Sequence, residues 1–299
     1  MLSVEYKGVD ITGSIEVERC WIDQYAEAHG DTIKVIFADP DRLWDSWAPQ
    51  TGDQIRVYDG HIDSGVQYVR GIAPKVGRYE ITAGSIPIGA EQKRRAGWGQ
   101  VTKMHLAREI AARYGLEIKT YGITDHKFYH LRQEDESDLL FLQRLCLIEG
   151  DALIIYDNNL VLYSEAYLEG QEPKQLIDLD EDNAPEYGKE QLYTALSLRN
   201  GATEYTTGSD LSRVKAVTLP IYIDSKGSAE RYAKNLLHHC NKMTKGGTFY
   251  VSPLAEGYTA GSVAAIKTRG MSSFDGKIFI YHLRADMTNN QMKVFFRCL

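Results

Sequence analysis

The chain has 299 residues, 43% of them hydrophobic and 25% charged, which is the composition of a soluble globular protein with enough material for two or three domains. No apolar run approaches the roughly 20 residues that a membrane helix needs, and the opening MLSVEYKGVDITGSIEVERC lacks the basic-then-apolar layout of a secretory signal. A formal charge of −7 argues against a nucleic-acid groove, because phosphate binding shows as a basic field.

Residues 1 to about 90 read as β structure, with candidate strands at 3–6, 14–22, 31–37, 54–58, 65–72 and 78–83. Several alternate, as in Ile33-Lys34-Val35-Ile36-Phe37, and turn signals at Gly30, Asp39-Pro40, Gly52-Asp53 and Asp59-Gly60 punctuate them. Short strands at regular spacing predict a small barrel or sandwich, and 19 tyrosines against eight prolines agree with a sheet-rich chain. Trp44 and Trp47 read as lids on that core, against the sharper reading of an aromatic sugar platform. Lys93, Arg94 and Arg95 read as a solvated linker face rather than a phosphate contact. Gly97-x-Gly99-x-x-Thr102 lacks the Lys-Ser/Thr ending of a phosphate loop.

A helix is predicted from Thr102 to Tyr114, closed by Gly115, and His105 and Glu109 on it form a surface pair rather than a metal site. After a strand at 117–120 comes a loop with Asp125, His126 and His130, whose spacing matches no metal pattern. The stretch Asp135 to Tyr163 is the strongest local signal. Asp135, Glu136, Ser137 and Asp138 suit a helix N-terminus, an almost wholly apolar helix follows, and Gly150 stops it. Two short strands, 152–156 and 160–163, flank a turn at Asp157-Asn158-Asn159, with Asn158-Asn159 expected as its positive-φ pair.

Residues 169–189, EGQEPKQLIDLDEDNAPEYGK, read as an acidic linker. Its run Asp178, Asp180, Glu181, Asp182 lacks the glycine and closing glutamate of a calcium loop. Beyond it the pattern predicts strands at 192–199 and 213–219 and a helix from Ser225 to Met243 broken by Gly246-Gly247. Strands at 248–252, 262–267 and 277–287 follow, and a turn at Asn289-Asn290 leads into 292–298. His238, His239 and Cys240 tempt as metal ligands, but neighbours on a helix point to different sides. The four cysteines Cys20, Cys146, Cys240 and Cys298 form no C-x-x-C pair and read as buried thiols of a reducing compartment.

Four stretches carry a family resemblance. They are Pro49-Gln50-Thr51-Gly52-Asp53-Gln54-Ile55-Arg56-Val57, the Trp98 linker with its helix ending Ile110-Ala111-Ala112-Arg113-Tyr114-Gly115-Leu116, the helix and hairpin beginning Asp135-Glu136-Ser137-Asp138-Leu139, and the loop Gly270-Met271-Ser272-Ser273-Phe274-Asp275-Gly276-Lys277. In this order they resemble the late control protein D family, the hub proteins of contractile-tail baseplates, which are similar to the hub part of type VI secretion spikes. The resemblance implies a mostly β, α+β chain with two small antiparallel β-barrel domains of tube type. Its expected parts are a first barrel over 1–92, a small α+β domain over 100–168, a linker over 169–189, and a second barrel with an inserted helix over 190–299.

It further implies a homotrimeric ring that adapts a sixfold tail tube to a threefold spike. The implied partners are a central spike protein carried by a separate chain, a tail tube or tube-initiator protein, baseplate wedge components and the tape-measure protein, with DNA passing only through the lumen. The implied place is a virion or tail-like particle, assembled in the bacterial cytoplasm. No catalytic, cofactor or metal residue is expected. Two rival classes are a tail-associated cell-wall hydrolase, for which G-x-S-x-G, H-E-x-x-H and a Cys-His pairing are all missing, and a carbohydrate- or receptor-binding β module, for which Trp44 and Trp47 would need to be exposed.

Overall fold

The computed structural model describes residues 2–27, 30–180, 187–188, 192–200, 203–208, 210–219, 221–270 and 272–299. The alternating stretches at both ends of the chain meet in one 13-stranded sheet. From the N-terminal region come Ser3–Tyr6, Val9–Asp10, Glu16–Tyr25, Thr32–Ala38, Gln54–Tyr58, Gln67–Lys75 and Arg78–Gly84. From the C-terminal region come Lys245–Val251, Val263–Thr268, Gly276–Asp286 and Gln291–Cys298.

The two regions are stitched through Gly276–Asp286. Its first half pairs with Val263–Thr268, and its second half runs antiparallel to Glu16–Tyr25 in the register His282↔Tyr25, Arg284↔Asp23, Asp286↔Trp21. Strand alternation then sends one set of side chains from both regions into a common core. Ile22, Val35 and Ile81 share it with Ile280, Val294 and Phe296. The strands expected in the first barrel and those from residue 245 onward expected in the second thus lie in a single sheet, and no closed barrel forms among the described residues.

The middle of the chain folds on two helices. Lys103–Tyr114 starts where Thr102 Oγ1 accepts the His105 N–H, and Asp138–Glu149 starts where Ser137 Oγ accepts the Leu140 N–H; Gly115 and Gly150 close them in the left-handed region. The apolar faces of the helices pack against the parallel–antiparallel trio Glu117–Tyr121, Asn159–Ser164 and Asp151–Tyr156.

Several boundaries differ from the sequence expectation, each for a local reason. The tight hairpin turns on Asp157 (φ 47°) and Asn158 (φ 58°), while Asn159 already pairs with Tyr156. A two-residue turn needs left-handed conformations at both central positions, which Asp and Asn both tolerate. Lys93–Trp98 is a strand paired with Leu131–Ser137 rather than a linker face, with Arg95 on Asp135. Within the acidic linker, Leu176–Leu179 is a strand parallel to Val263–Thr268, because Ile177 and Leu179 alternate into the sheet core. Glu181 and Asp182 lie outside the described residues.

Gly246 and Gly247 do not break a helix; they are buried inside a strand, opposite Arg297 and Phe296. The segment after 190 is divided between two cores. Strands Ala195–Asn200, Thr203–Thr207 and Val214–Thr218 form their own small sheet, and Leu196 and Leu198 share a core with Tyr232 and Leu236 of helix Lys226–Asn241 and with Leu106 and Phe141.

Candidate functional site

Two arrangements bring functional side chains together, one on the face of the sheet away from its core and one at the joint between the sheet and the helices. On the open face, the junction of the two β regions forms a seam. Tyr25 stacks flat on His282 at 4.4 Å, and His282 stacks on Phe295 at 4.3 Å, so three rings cross three strands. Asp23 Oδ1 lies 2.8 Å from His282 Nε2 and accepts from Arg284 Nε at 2.8 Å. Burial pushes the Asp23 carboxyl up, but the hydrogen bonds from His282 and Arg284 outweigh it, and its pKa lies below the ordinary value. Lys293 continues the row beyond Phe295, with its ammonium over both the Phe295 and Tyr250 rings.

Beside the seam the open face is concave. A groove of about 830 Å³ runs past Asp23, Tyr25, Lys34, Arg70, Thr82 and Glu91. Its charges alternate in sign and several are paired, as Lys34 with Glu80 at 2.8 Å and Arg70 with Glu91 at 2.8 Å. Such a surface offers neither a basic field for phosphate nor an apolar pocket for a small molecule.

The joint is a charge cluster drawn from four segments. Glu27 lies two residues beyond strand Glu16–Tyr25, Glu165 and Glu169 sit one turn apart on the short helix Glu165–Glu169, His238, His239 and Lys242 come from helix Lys226–Asn241 and its cap, and Arg297 comes from the last strand. Lys242 bridges Glu27 and Glu165, the latter at 2.8 Å, and Arg297 Nη1 donates to Glu169 at 2.6 Å. His238 Nε2 lies 3.2 Å from Glu169. Arg297 is 1% exposed, its guanidinium covers the Phe279 ring at 4.4 Å, and its Nε and Nη2 have no hydrogen-bond partner.

Burial raises Glu27, and the Lys242 ammonium more than offsets it; burial likewise raises Glu169 and is outweighed by His238 and Arg297, so both carboxyls sit low. Glu165 sits high because burial and neighbouring Glu27 outweigh Lys242. Burial and then Lys242 push His239 down to about 4. Glu27, Glu165 and His239 place ligand atoms within 4.8 Å of one another. The Lys242 ammonium already bridges both carboxylates there, so the cluster carries its own cation.

The residues singled out in the sequence are distributed otherwise. Trp44 is 1% exposed and packed between Phe37, Tyr79, Tyr6 and Trp47, so it is core and no sugar platform. Thr102 caps a helix, and His105 and Glu109 form an exposed pair at 3.4 Å. Asp125 accepts the Met104 N–H. Cys20 and Cys146 are buried free thiols. Sequence reasoning set His238 and His239 aside because adjacent helical residues diverge. They do diverge, and each meets a different carboxylate pair of the same cluster. The i, i+4 pairs Glu165/Glu169 and His238/Lys242 were the signal available for it.

No family model matches the chain, and no curated protein matches it by sequence. Its fold, however, is shared over nearly its whole length with solved tail proteins. It superposes on the tail protein from Neisseria meningitidis MC58 with a TM-score of 0.76 at 13% identity, covering 99% of this chain and 95% of that one. The 43 kDa tail protein of prophage MuSo2 from Shewanella oneidensis gives 0.73 at 12%, covering 99% and 97%. The E. coli c3393 protein, a component of the type VI secretion system with structural similarity to the T4 tail proteins gp27 and gp5, gives 0.62 at 11%, covering 99% and 76%. The fold of this chain is that of phage tail and type VI tail-like proteins.

Proposed function

We propose that the chain is a structural subunit of the baseplate hub of a contractile phage tail or tail-like injection particle. Three copies form a ring, the two β regions act as tube-type barrel domains completed by strands of neighbouring copies, and the open face of the sheet lines the lumen. Six barrel domains from three chains let a sixfold tube rest on a threefold spike. The middle unit, about residues 100–168, lies outside and meets other baseplate components. The observation that carries this reading is the single sheet running through both ends of the chain, with an extended apolar core on one face and, on the other, a seam and groove of paired opposite charges beside a small apolar cluster of Ala26, Val263 and Phe279, in a fold shared end to end with tail proteins.

A lumen must let polymer pass without holding it, and a face of paired opposite charges does that better than a basic or apolar one. Edge strands of such a sheet also need partners, which neighbouring copies supply. Light scattering on the purified chain, followed by negative-stain imaging of the same peak, tests the proposal. The expected result is three chain masses in a ring with an open centre, burying upwards of roughly 2,000 Å² per contact. A monomer that stays a monomer after a spike chain from the same particle is added would overturn it.

A further inference from the structure

Helix Lys226–Asn241 is held to the rest of the molecule in two different ways. Toward the middle unit the bond is apolar and extensive: Tyr232, Ala233 and Leu236 lie in the core with Phe141 and Leu196, Arg231 pairs with Glu149 at 2.7 Å, and Asn235 donates to the Ile148 carbonyl. None of its residues joins the core of the sheet. Toward the sheet side and the neighbouring Glu165–Glu169 helix it is joined through charged groups, Lys242 to Glu27 and Glu165 and His238 to Glu169 and Glu165.

The groups facing this junction come from every element around it. Arg297 belongs to the sheet and Glu27 to the turn after strand Glu16–Tyr25, Tyr163, Glu165 and Glu169 to the 159–169 segment, His238, His239 and Lys242 to the helix and its cap, and Arg144 and Asp151 stand at its far side, paired with Glu136 and Lys103. Counted without the histidines, three carboxylates meet two permanent cations, Lys242 and Arg297. The cluster can take up one proton and come to balance. Further protons leave Lys242, Arg297 and the His239 imidazole facing one another in a poorly hydrated space, where like charges repel strongly. Arg297 Nε and His239 Nδ1 add no compensating hydrogen bonds, and Arg297 Nη2 reaches Glu27 only as an ion pair at 3.9 Å.

We propose that this cluster is a proton-operated latch: acidification parts the C-terminal end of helix Lys226–Asn241 from Glu27 and from the Glu165–Glu169 helix, which Leu168 keeps seated on Val263 and Phe279, while the sheet stays folded. The signs agree for three of the four titrating groups. His239 is held neutral when folded, so the closed latch loses stability as pH falls from the ordinary imidazole value toward about 4. Glu27 and Glu169, both held low, stabilise the closed form above the ordinary carboxyl range and cease to do so as pH falls through their depressed values. Glu165, held high, works the other way and takes the first proton without opening the joint.

Hydrogen–deuterium exchange on the intact chain at pH 7.5 and pH 5, corrected for intrinsic exchange rates, tests this. The His239 linkage, discounted for partial exposure, predicts about a tenfold rise in the opening constant of peptides covering 238–244. Peptides from 278–285 and 292–296 should change far less. The variant His239→Leu keeps the apolar wall and removes the titration, so its joint peptides should no longer respond between these pH values. Equal loss of protection in joint and sheet would overturn the proposal, as would no change at the joint. So would a His239→Leu chain that folds and still responds. The comparison between joint and sheet within the native chain decides the matter even where the variant does not fold.

Discussion

Gly65 offers the sharpest test of how the middle unit is seated on the sheet. It has φ +61°, and a Cβ added there would stand 2.9 Å from Asp157 Cβ and 3.0 Å from Asp157 Cα and N. Gly65→Ala therefore carries two costs. The left-handed backbone strains an alanine by about 1–2 kcal/mol, and the contact with main chain pushes the tip of the 151–164 hairpin away. Three bonds at that tip then fail: Val66 N–H to Asp157 Oδ1 at 3.2 Å, Tyr68 OH to Asn158 Oδ1 at 2.7 Å, and Tyr156 OH to the Asp63 carbonyl at 3.3 Å. At about 1 kcal/mol each and with partial rehydration, the total is about 3–5 kcal/mol. Gly77 is the control, because its φ is +72° and an added Cβ meets nothing within 4 Å. Gly77→Ala should cost the strain alone, about 1–2 kcal/mol. Urea unfolding of both variants beside the wild type separates the terms. Equal losses at the two positions would refute the docking argument and leave only backbone strain.

Three further outcomes follow from the same contacts. Asp23→Asn should lower stability at neutral pH by about 1–2 kcal/mol; because the Asp23 carboxyl is held low, that contribution is present above the ordinary carboxyl range and vanishes as pH falls, so variant and wild-type midpoints should converge in acid. Trp44→Ala should cost about 3–5 kcal/mol by opening a cavity among Phe37, Tyr79 and Trp47, read as a fall in the urea midpoint. Burial pushes the Cys20 and Cys146 thiols up to about 12, so in the native chain a thiol reagent should reach Cys240 and Cys298 well before either of them, which mass spectrometry of labelled peptides will show.

The elements that the sequence displays most clearly are those whose stability is local. The helix Asp138–Glu149 has a capping serine, a stopping glycine and apolar residues all round, and it lies where that pattern puts it. The alternating strands 54–58, 78–84 and 32–38 are likewise legible, because one face of each is buried and period-two patterning follows directly. Leu176–Leu179 was hidden by its own charges: Asp178 and Asp180 dominate the composition, while the two residues that decide the strand, Ile177 and Leu179, are a minority. Thr203–Thr207 displays a single apolar residue, Tyr205, which packs on the core of its sheet, and the strand pairs with Ala195–Asn200.

What local pattern cannot carry is partnership across the chain, and both candidate sites are made of it. The seam joins Tyr25 and Asp23 to His282, Arg284 and Phe295, more than 250 residues away, and nothing near Asp23 marks it as the acceptor of two cross-strand side chains. The charge cluster is built from residues that separately look like solvated surface: a glutamate after a strand, two glutamates on a five-residue helix, a histidine pair and a late arginine. Their meaning comes from being buried together, since a charge in water needs no partner and a charge at 1% exposure must have one. Arg297 is the residue that makes the difference visible. Its strand places it toward Phe279 and Glu169, where an apolar side chain would have packed as well, and it brings a buried positive charge to the joint between sheet and helices. The sheet thereby presents carboxylate-matching charge at its end, and a carboxylate with its cations stands both there and in the seam, where Asp23 meets His282 and Arg284, while the apolar core holds the strands together.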